Sequence, residues 1–170
     1  IAALRGHTAP VIGVAFGPDD SLLASASEDG SIRLWNALKH TPTAVLDKQE
    51  EPVTALSFSP DGAHLAAASG LSLRVWDVGG RSILATYDLP DEARCIAFSP
   101  DGAQLAVGLA DRGLLVLSAQ NSDEGPGSAL ALLSQIDYAD YNARCVRGVA
   151  FAPNGSLLVM ASLDGMLRLW

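Results

Sequence analysis

A Phe followed by a Pro-Asp or Pro-Asn turn recurs four times in this chain, and no other feature restricts its fold as much. The turns read Phe16-Gly-Pro-Asp-Asp20, Phe58-Ser-Pro-Asp-Gly62, Phe98-Ser-Pro-Asp-Gly102 and Phe151-Ala-Pro-Asn-Gly155. Their Phe-to-Phe spacings are 42, 40 and 53 residues. Each turn precedes an apolar run, a loop and a strand that ends at or near Trp. A unit of about 40–45 residues with several short strands predicts a radial stack of small antiparallel sheets.

The first unit shows why. Val11 to Phe16 alternates like a strand, and Pro18-Asp19-Asp20 supplies a turn in which Pro fixes φ. Leu22 to Ser27 is a further strand. Glu28-Asp29-Gly30 is a hairpin turn of the Asp-Gly type, leading into Ser31–Trp35. Ile1 to Leu4 is read as one more strand. Within each strand before the turn, the residues in phase with Phe are bulky: Ile12 and Val14, Leu56, Ile96, Val149. The alternate positions are mostly small: Gly13 and Ala15, Ala55 and Ser57, Cys95 and Ala97, Gly148 and Ala150. Large faces set against small ones are what sheets need to pack face to face around an axis.

These residues resemble the WD40 repeat family along the whole chain. The resemblance implies an all-β fold, a β-propeller of four four-stranded antiparallel blades. The repeats run over roughly 1–42, 43–83, 84–125 and 126–170 within a single segment, 1–170. The first unit carries the pattern best, with Gly6-His7, Leu23-Ala-Ser25-Ala-Ser27, Asp29 and Trp35, and Asn36 in place of the closing Asp. The second keeps Trp76-Asp77, with Gln49 for the His and Gly70 for the Asp. The third keeps Asp111, with Leu89 for the His and Leu117 for the Trp. The fourth keeps Ser162, Asp164 and Trp170, with Asn142 at the His position. The resemblance implies a structural hydrogen-bond tetrad of His7, Ser25, Asp29 and Trp35. Ser27 competes for the Ser role, since it shares a strand face with Ser25. Units lacking part of the tetrad should be less rigid, with slowest amide exchange in the first blade.

Composition excludes several classes of function. Eleven basic residues stand against 19 acidic ones, a net charge of −8. That balance argues against a direct nucleic-acid partner, which wants a basic face. Apolar runs fall short of the roughly 20 residues a membrane helix needs, so membrane insertion is not expected. Cys95 and Cys145 form no metal spacing, and Cys95 fills a slot held by small residues in the other units. Ser, His and Asp invite comparison with nucleophilic catalysis. Yet Ser25 lies in a strand with no nucleophile elbow, and the structural reading uses the same residues. His40 and His64 read as surface histidines. No catalytic residue, cofactor or metal is therefore assigned, and a cytoplasmic setting is the expectation.

Arg33, Arg74 and Arg168 each stand two residues before the Trp position and read as a solvated outer stripe. The long third interval places a Gly/Pro-containing loop at 121–128 and a connection at 137–144. Tyr138, Tyr141 and Arg144 in that connection are the candidate partner-binding residues, because Tyr and Arg are favoured at hot spots. Partners would be proteins or peptides, or other domains of a longer chain. Strand counting leaves the fourth unit one outer strand short and residues 1–5 spare. Such a register allows a four-bladed ring, an eight-bladed ring from two chains, or part of a larger ring of about seven blades. We read it as the last.

Overall fold

The computed structural model describes residues 2–119, 130–136 and 145–170. Every regular element among them is a strand. Blade 1 comprises β1 (Val11–Phe16), β2 (Leu22–Ser27), β3 (Ser31–Asn36) and β4 (Thr41–Lys48). Blade 2 comprises β5 (Val53–Phe58), β6 (His64–Ser69), β7 (Ser72–Asp77) and β8 (Ser82–Asp88). Blade 3 holds β9 (Ala93–Phe98), β10 (Gln104–Leu109), β11 (Leu114–Ser118) and β12 (Ala131–Ile136). Blade 4 holds β13 (Val146–Phe151), β14 (Leu158–Ser162) and β15 (Leu167–Leu169).

Each blade is an antiparallel meander in chain order, four-stranded in blades 1–3 and three-stranded in blade 4. The first strands stand side by side: β1 against β5, β5 against β9, β9 against β13. They form the inner wall of a fan, and the later strands of each blade radiate outwards.

The turns after the inner strands explain the fourfold signature. Asp61 and Asp101 each accept hydrogen bonds from the backbone two residues on, at 3.0 and 2.9 Å. Each also accepts one from the preceding Ser hydroxyl, at 2.5 Å. The next residue sits in the left-handed region, φ 72° at Gly62 and Gly102, where Gly carries no steric penalty. Blade 1 places Asp20 there at φ 59°.

Burial lies between blades. Ala24, Ala26, Ile32 and Leu34 of blade 1 pack on Val53, Phe58, Leu65 and Trp76 of blade 2. Ala66, Ala68 and Leu73 of blade 2 meet Ile96, Leu105 and Leu117 of blade 3. Ala106 and Leu114 of blade 3 meet Val146, Leu158 and Met160 of blade 4. The small-face positions are tight. A Cβ built on Gly13 would lie 2.5 Å from Leu56 Cδ2. At the two ends of the fan the same faces are open: Phe16 is 60 % exposed where Phe58 is 9 %, and Leu167 is 69 % exposed.

Two expectations are corrected. Residues 2–4 are not a strand. A strand exists through its ladder of hydrogen bonds, and these residues pair with no described strand. The arginine stripe is not a solvated outer face either: Arg33, Arg74 and Arg168 are half-buried. Both faces of β3 and β7 are covered, with Leu34 and Trp35, and Val75 and Trp76, all buried, so alternation along those strands does not point one side to water. Arg168 instead meets Asp164 at 2.6 Å.

Candidate functional site

His7, Ser25, Asp29 and Trp35 come together on one face of blade 1. The segment through Gly6 and His7 crosses β3, so that a Cβ on Gly6 would lie 3.2 Å from the Trp35 ring. Trp35 Nε1 donates to Ser25 Oγ at 2.8 Å. Ser25 Oγ lies 2.7 Å from His7 Nε2, and His7 Nδ1 lies 3.2 Å from Asp29 Oδ2. A neutral His7 carrying its proton on Nδ1 satisfies every group. Indole donates to hydroxyl, hydroxyl to Nε2, and Nδ1–H to carboxylate.

Asp29 is the anchor. It accepts from Thr8 N at 2.8 Å, Ser31 N at 2.9 Å and Ser31 Oγ at 2.5 Å. Burial pushes its carboxyl up. The hydrogen bonds from Ser31, Thr8 and His7 outweigh that and hold it well below the usual carboxylate range. Ser27 makes a different set of contacts. Its hydroxyl donates to Ala9 O at 3.2 Å and accepts from Asp29 N at 3.1 Å.

This geometry bears on catalysis. Ser25 is 5 % exposed and Trp35 2 %. The Ser25 oxygen already accepts the indole proton and its hydroxyl faces the imidazole, so the nucleophile's approach side is occupied.

The other blades solve the same position differently. In blade 3, Leu89, Val107 and Leu117 stand for His, Ser and Trp, and all three are buried in one apolar cluster. Hydrocarbon there replaces the polar chain. In blade 2, Ala67 stands where Ser25 does, and the buried Trp76 Nε1 has no hydrogen-bond partner. Ala67→Ser should give that donor an acceptor and raise stability by about 1 kcal/mol. A urea midpoint checks this; no change or a fall contradicts it. In blade 4, Met160 takes the Ser25 place and Ser162 the Ser27 place. Asp164 turns to Arg168, whose hydrogen bond holds its carboxyl at about 2.

Tyr138, Tyr141, Arg144 and Asn142 lie outside the described residues. His64 is half-buried beside the Asp61 turn and His40 is exposed. Burial raises the Cys95 thiol to about 11, which keeps it protonated and unreactive near neutrality. Among the described residues no group of three His, Cys, Asp or Glu side chains could hold a metal ion. No helix among them is long and apolar enough to cross a membrane.

Sequence reasoning missed one further feature, an open cleft of about 520 Å³ lined by Ile12, Glu28, Glu51, Thr54, Arg94 and Arg147 among others. Ile12, Thr54, Arg94 and Arg147 each stand four residues before the signature Phe. Counting back from it would have found them.

Radial blades of this construction, with the inner strands side by side, define a β-propeller. The family model for the WD domain, G-beta repeat, matches residues 1–36, 40–77, 82–116 and 138–170, and the chain belongs to the WD40 family. It is 38 % identical over 82 residues to transducin beta-like protein 3 from Bos taurus, covering 46 % of this chain and 10 % of that one. It is 27 % identical over 169 residues to periodic tryptophan protein 2 from Arabidopsis thaliana, covering 98 % and 18 %. To WD repeat-containing protein slp1 from Schizosaccharomyces pombe it is 24 % identical over 176 residues, covering 100 % and 34 %. In a crystal structure of the mitotic checkpoint complex, one chain matches with a TM-score of 0.85 at 24 % identity. That match covers 100 % of this chain and 53 % of the other, and it shows the fold. The chain thus spans between 10 % and 34 % of the length of the curated relatives named here.

Proposed function

We propose that this chain is a non-enzymatic scaffold that binds protein or peptide partners through the loops of its propeller. The observation that carries the reading is the closed Trp35–Ser25–His7–Asp29 chain. It commits the only triad-like residues singled out in the sequence to holding blade 1. What remains for function is surface. We place the partner contact at the 137–144 connection, on Tyr138, Tyr141 and Arg144. The test is quantitative affinity capture with the Tyr138→Ala/Tyr141→Ala chain beside the unaltered one. Partner recovery should fall several-fold while the thermal midpoint holds. A lowered midpoint would mean that the tyrosines pack over a blade edge instead.

A second reading has its own support in the small share of each relative that the chain covers. It makes this a segment of a larger ring in a multidomain regulator, acting on a linked ATPase, kinase or protease. Flanking sequence with a Gly-rich phosphate loop or a kinase signature would favour it.

A further inference from the structure

Asn154 is an amide where the other three blades place a carboxylate, at Asp19, Asp61 and Asp101. It is also the chain's only asparagine that precedes a glycine. That pair has chemistry of its own. The backbone nitrogen of Gly155 can attack Cγ of Asn154, and with no Cβ on the glycine little hinders the approach. A C–N bond forms and closes a succinimide ring. The bond from Cγ to Nδ2 breaks, and Nδ2 leaves as ammonia with the proton of the glycine amide. Water then opens the ring. Attack at Cγ restores the backbone and leaves Asp. Attack at the main-chain carbonyl carbon leaves isoAsp, whose chain runs through the side-chain carbon. Water is consumed and ammonia released, with no oxidant or reductant.

Five turns join Asp or Asn to Gly, and in each the Gly N–H donates to the carbonyl three residues back. The pairs are Gly30 to Ser27, Gly62 to Ser59, Gly102 to Ser99, Gly155 to Ala152 and Gly165 to Ser162, at 2.8–3.2 Å. The nucleophile is held alike in all five, so the leaving group separates them. A carboxyl can lose its oxygen this way only when protonated. The Ser59 and Ser99 hydroxyls hold Asp61 and Asp101 below the usual carboxylate range, Arg168 does so for Asp164, and Asp29 is depressed as described above. All four are ionised near neutrality and make poor electrophiles. Asn154 carries a neutral amide, exposed together with Gly155 and Ser156 to the water that the second step needs.

The turn also suits the product. Asn154 Oδ1 accepts from Ser156 N at 3.1 Å and from Ser156 Oγ at 2.7 Å. Asp19 accepts the matching pair from Ser21, N at 3.0 Å and Oγ at 2.8 Å. A carboxylate at 154 would take charge-assisted forms of bonds already in place. IsoAsp would instead add a main-chain carbon between β13 and β14 and pull Ser156 out of reach. Gly155 N–H must first leave Ala152 O, so the rate follows the opening of this turn. Blade 4 ends the fan, with Leu157 45 % and Leu167 69 % exposed, so its turn opens more readily than those of blades 2 and 3. We propose that Asn154 is a self-modification site, at which the chain deamidates with water to an Asp that gives all four blades the same carboxylate turn.

Peptide mapping by mass spectrometry, with fragmentation that distinguishes Asp from isoAsp, tests this on the chain aged at neutral pH beside a free peptide spanning residues 149–159. Asn154 should convert while Asp29, Asp61, Asp101 and Asp164 stay unisomerised. Conversion in the folded chain should be slower than in the peptide by about tenfold or more, and urea below the unfolding transition should quicken it. A higher pH should quicken it too, because the amide nitrogen attacks as its anion. The Asn154→Asp chain should match or exceed the urea midpoint of the unaltered chain. Three results overturn the proposal. One is an Asn154 that stays intact in the folded chain even in dilute urea. Another is earlier isomerisation at an Asp-Gly turn, or conversion at the peptide's rate with no response to urea. The third is a lowered midpoint for Asn154→Asp, which would show that the turn does not accept the product.

Discussion

Gly108→Val should cost this chain about 3 kcal/mol, at the upper end of overpacking penalties. Gly108 lies on β10, where blade 3 meets blade 4. A Cβ there would stand 2.5 Å from Cys95 Sγ, 2.5 Å from Val146 Cγ1 and 2.9 Å from Val146 Cβ. Val146 is fully buried and belongs to the cluster that joins the two blades. Its Cβ is fixed to the β13 backbone, so the two sheets must part. Parting them exposes Ala106, Leu114, Leu158 and Met160 to water, at about 25 cal/mol for each Å² of apolar surface. Gly148→Ala is the control. A Cβ at that small-face position meets only Ala161 Cβ, at 3.9 Å, and should be close to neutral. Urea unfolding of the two variants checks the contrast. Similar midpoints would show that blade spacing is not set at Gly108.

Ser25→Ala should cost about 2–4 kcal/mol. The substitution removes one oxygen and strands two groups, the Trp35 indole N–H and His7 Nε2. Each buried orphan costs about 1–3 kcal/mol. The same network governs acid stability. Asp29 has its carboxyl depressed in the folded chain, so its contribution is fully present above the unfolded value of about 3.9. It is lost as the pH falls from there towards the folded value. Asp29→Asn should therefore be less stable near neutrality and show a flatter loss of stability below about pH 4. An acid limb identical to that of the unaltered chain would remove Asp29 from the account.

Much of this architecture was legible because it is local and repeated. The Phe-Pro-Asp turns, the alternation of large and small faces and the Asp29-Gly30 hairpin each follow from the chemistry of a few adjacent residues. What escaped depends on neighbours. Residues 2–4 have strand-forming composition but pair with no described strand. Arg33 alternates correctly along β3, yet the side it points to is covered. Ser25 and Ser27 share a face and cannot be separated by periodicity. The position of Ala9 O and of the indole assigns them to different partners. The site was similarly divided. His7, Asp29 and Trp35 stand out as residue types, whereas the Leu89, Val107 and Leu117 plug is visible only once the blades are superposed. Its burial also weakens the expectation that blade 1 alone should be rigid, since hydrocarbon holds blade 3 at the same place.

The central claim is that Ser, His and Asp in blade 1 hold structure rather than perform chemistry. Native-state hydrogen exchange on the β2 and β3 amides, in the unaltered chain and in Ser25→Ala, tests it most directly. A structural clamp should lose protection by about 30- to 1,000-fold in blade 1, the counterpart of 2–4 kcal/mol. Blades 2 and 3 should keep most of theirs. Unchanged protection in β2 and β3 would contradict the account and return Ser25 to the candidates for catalysis.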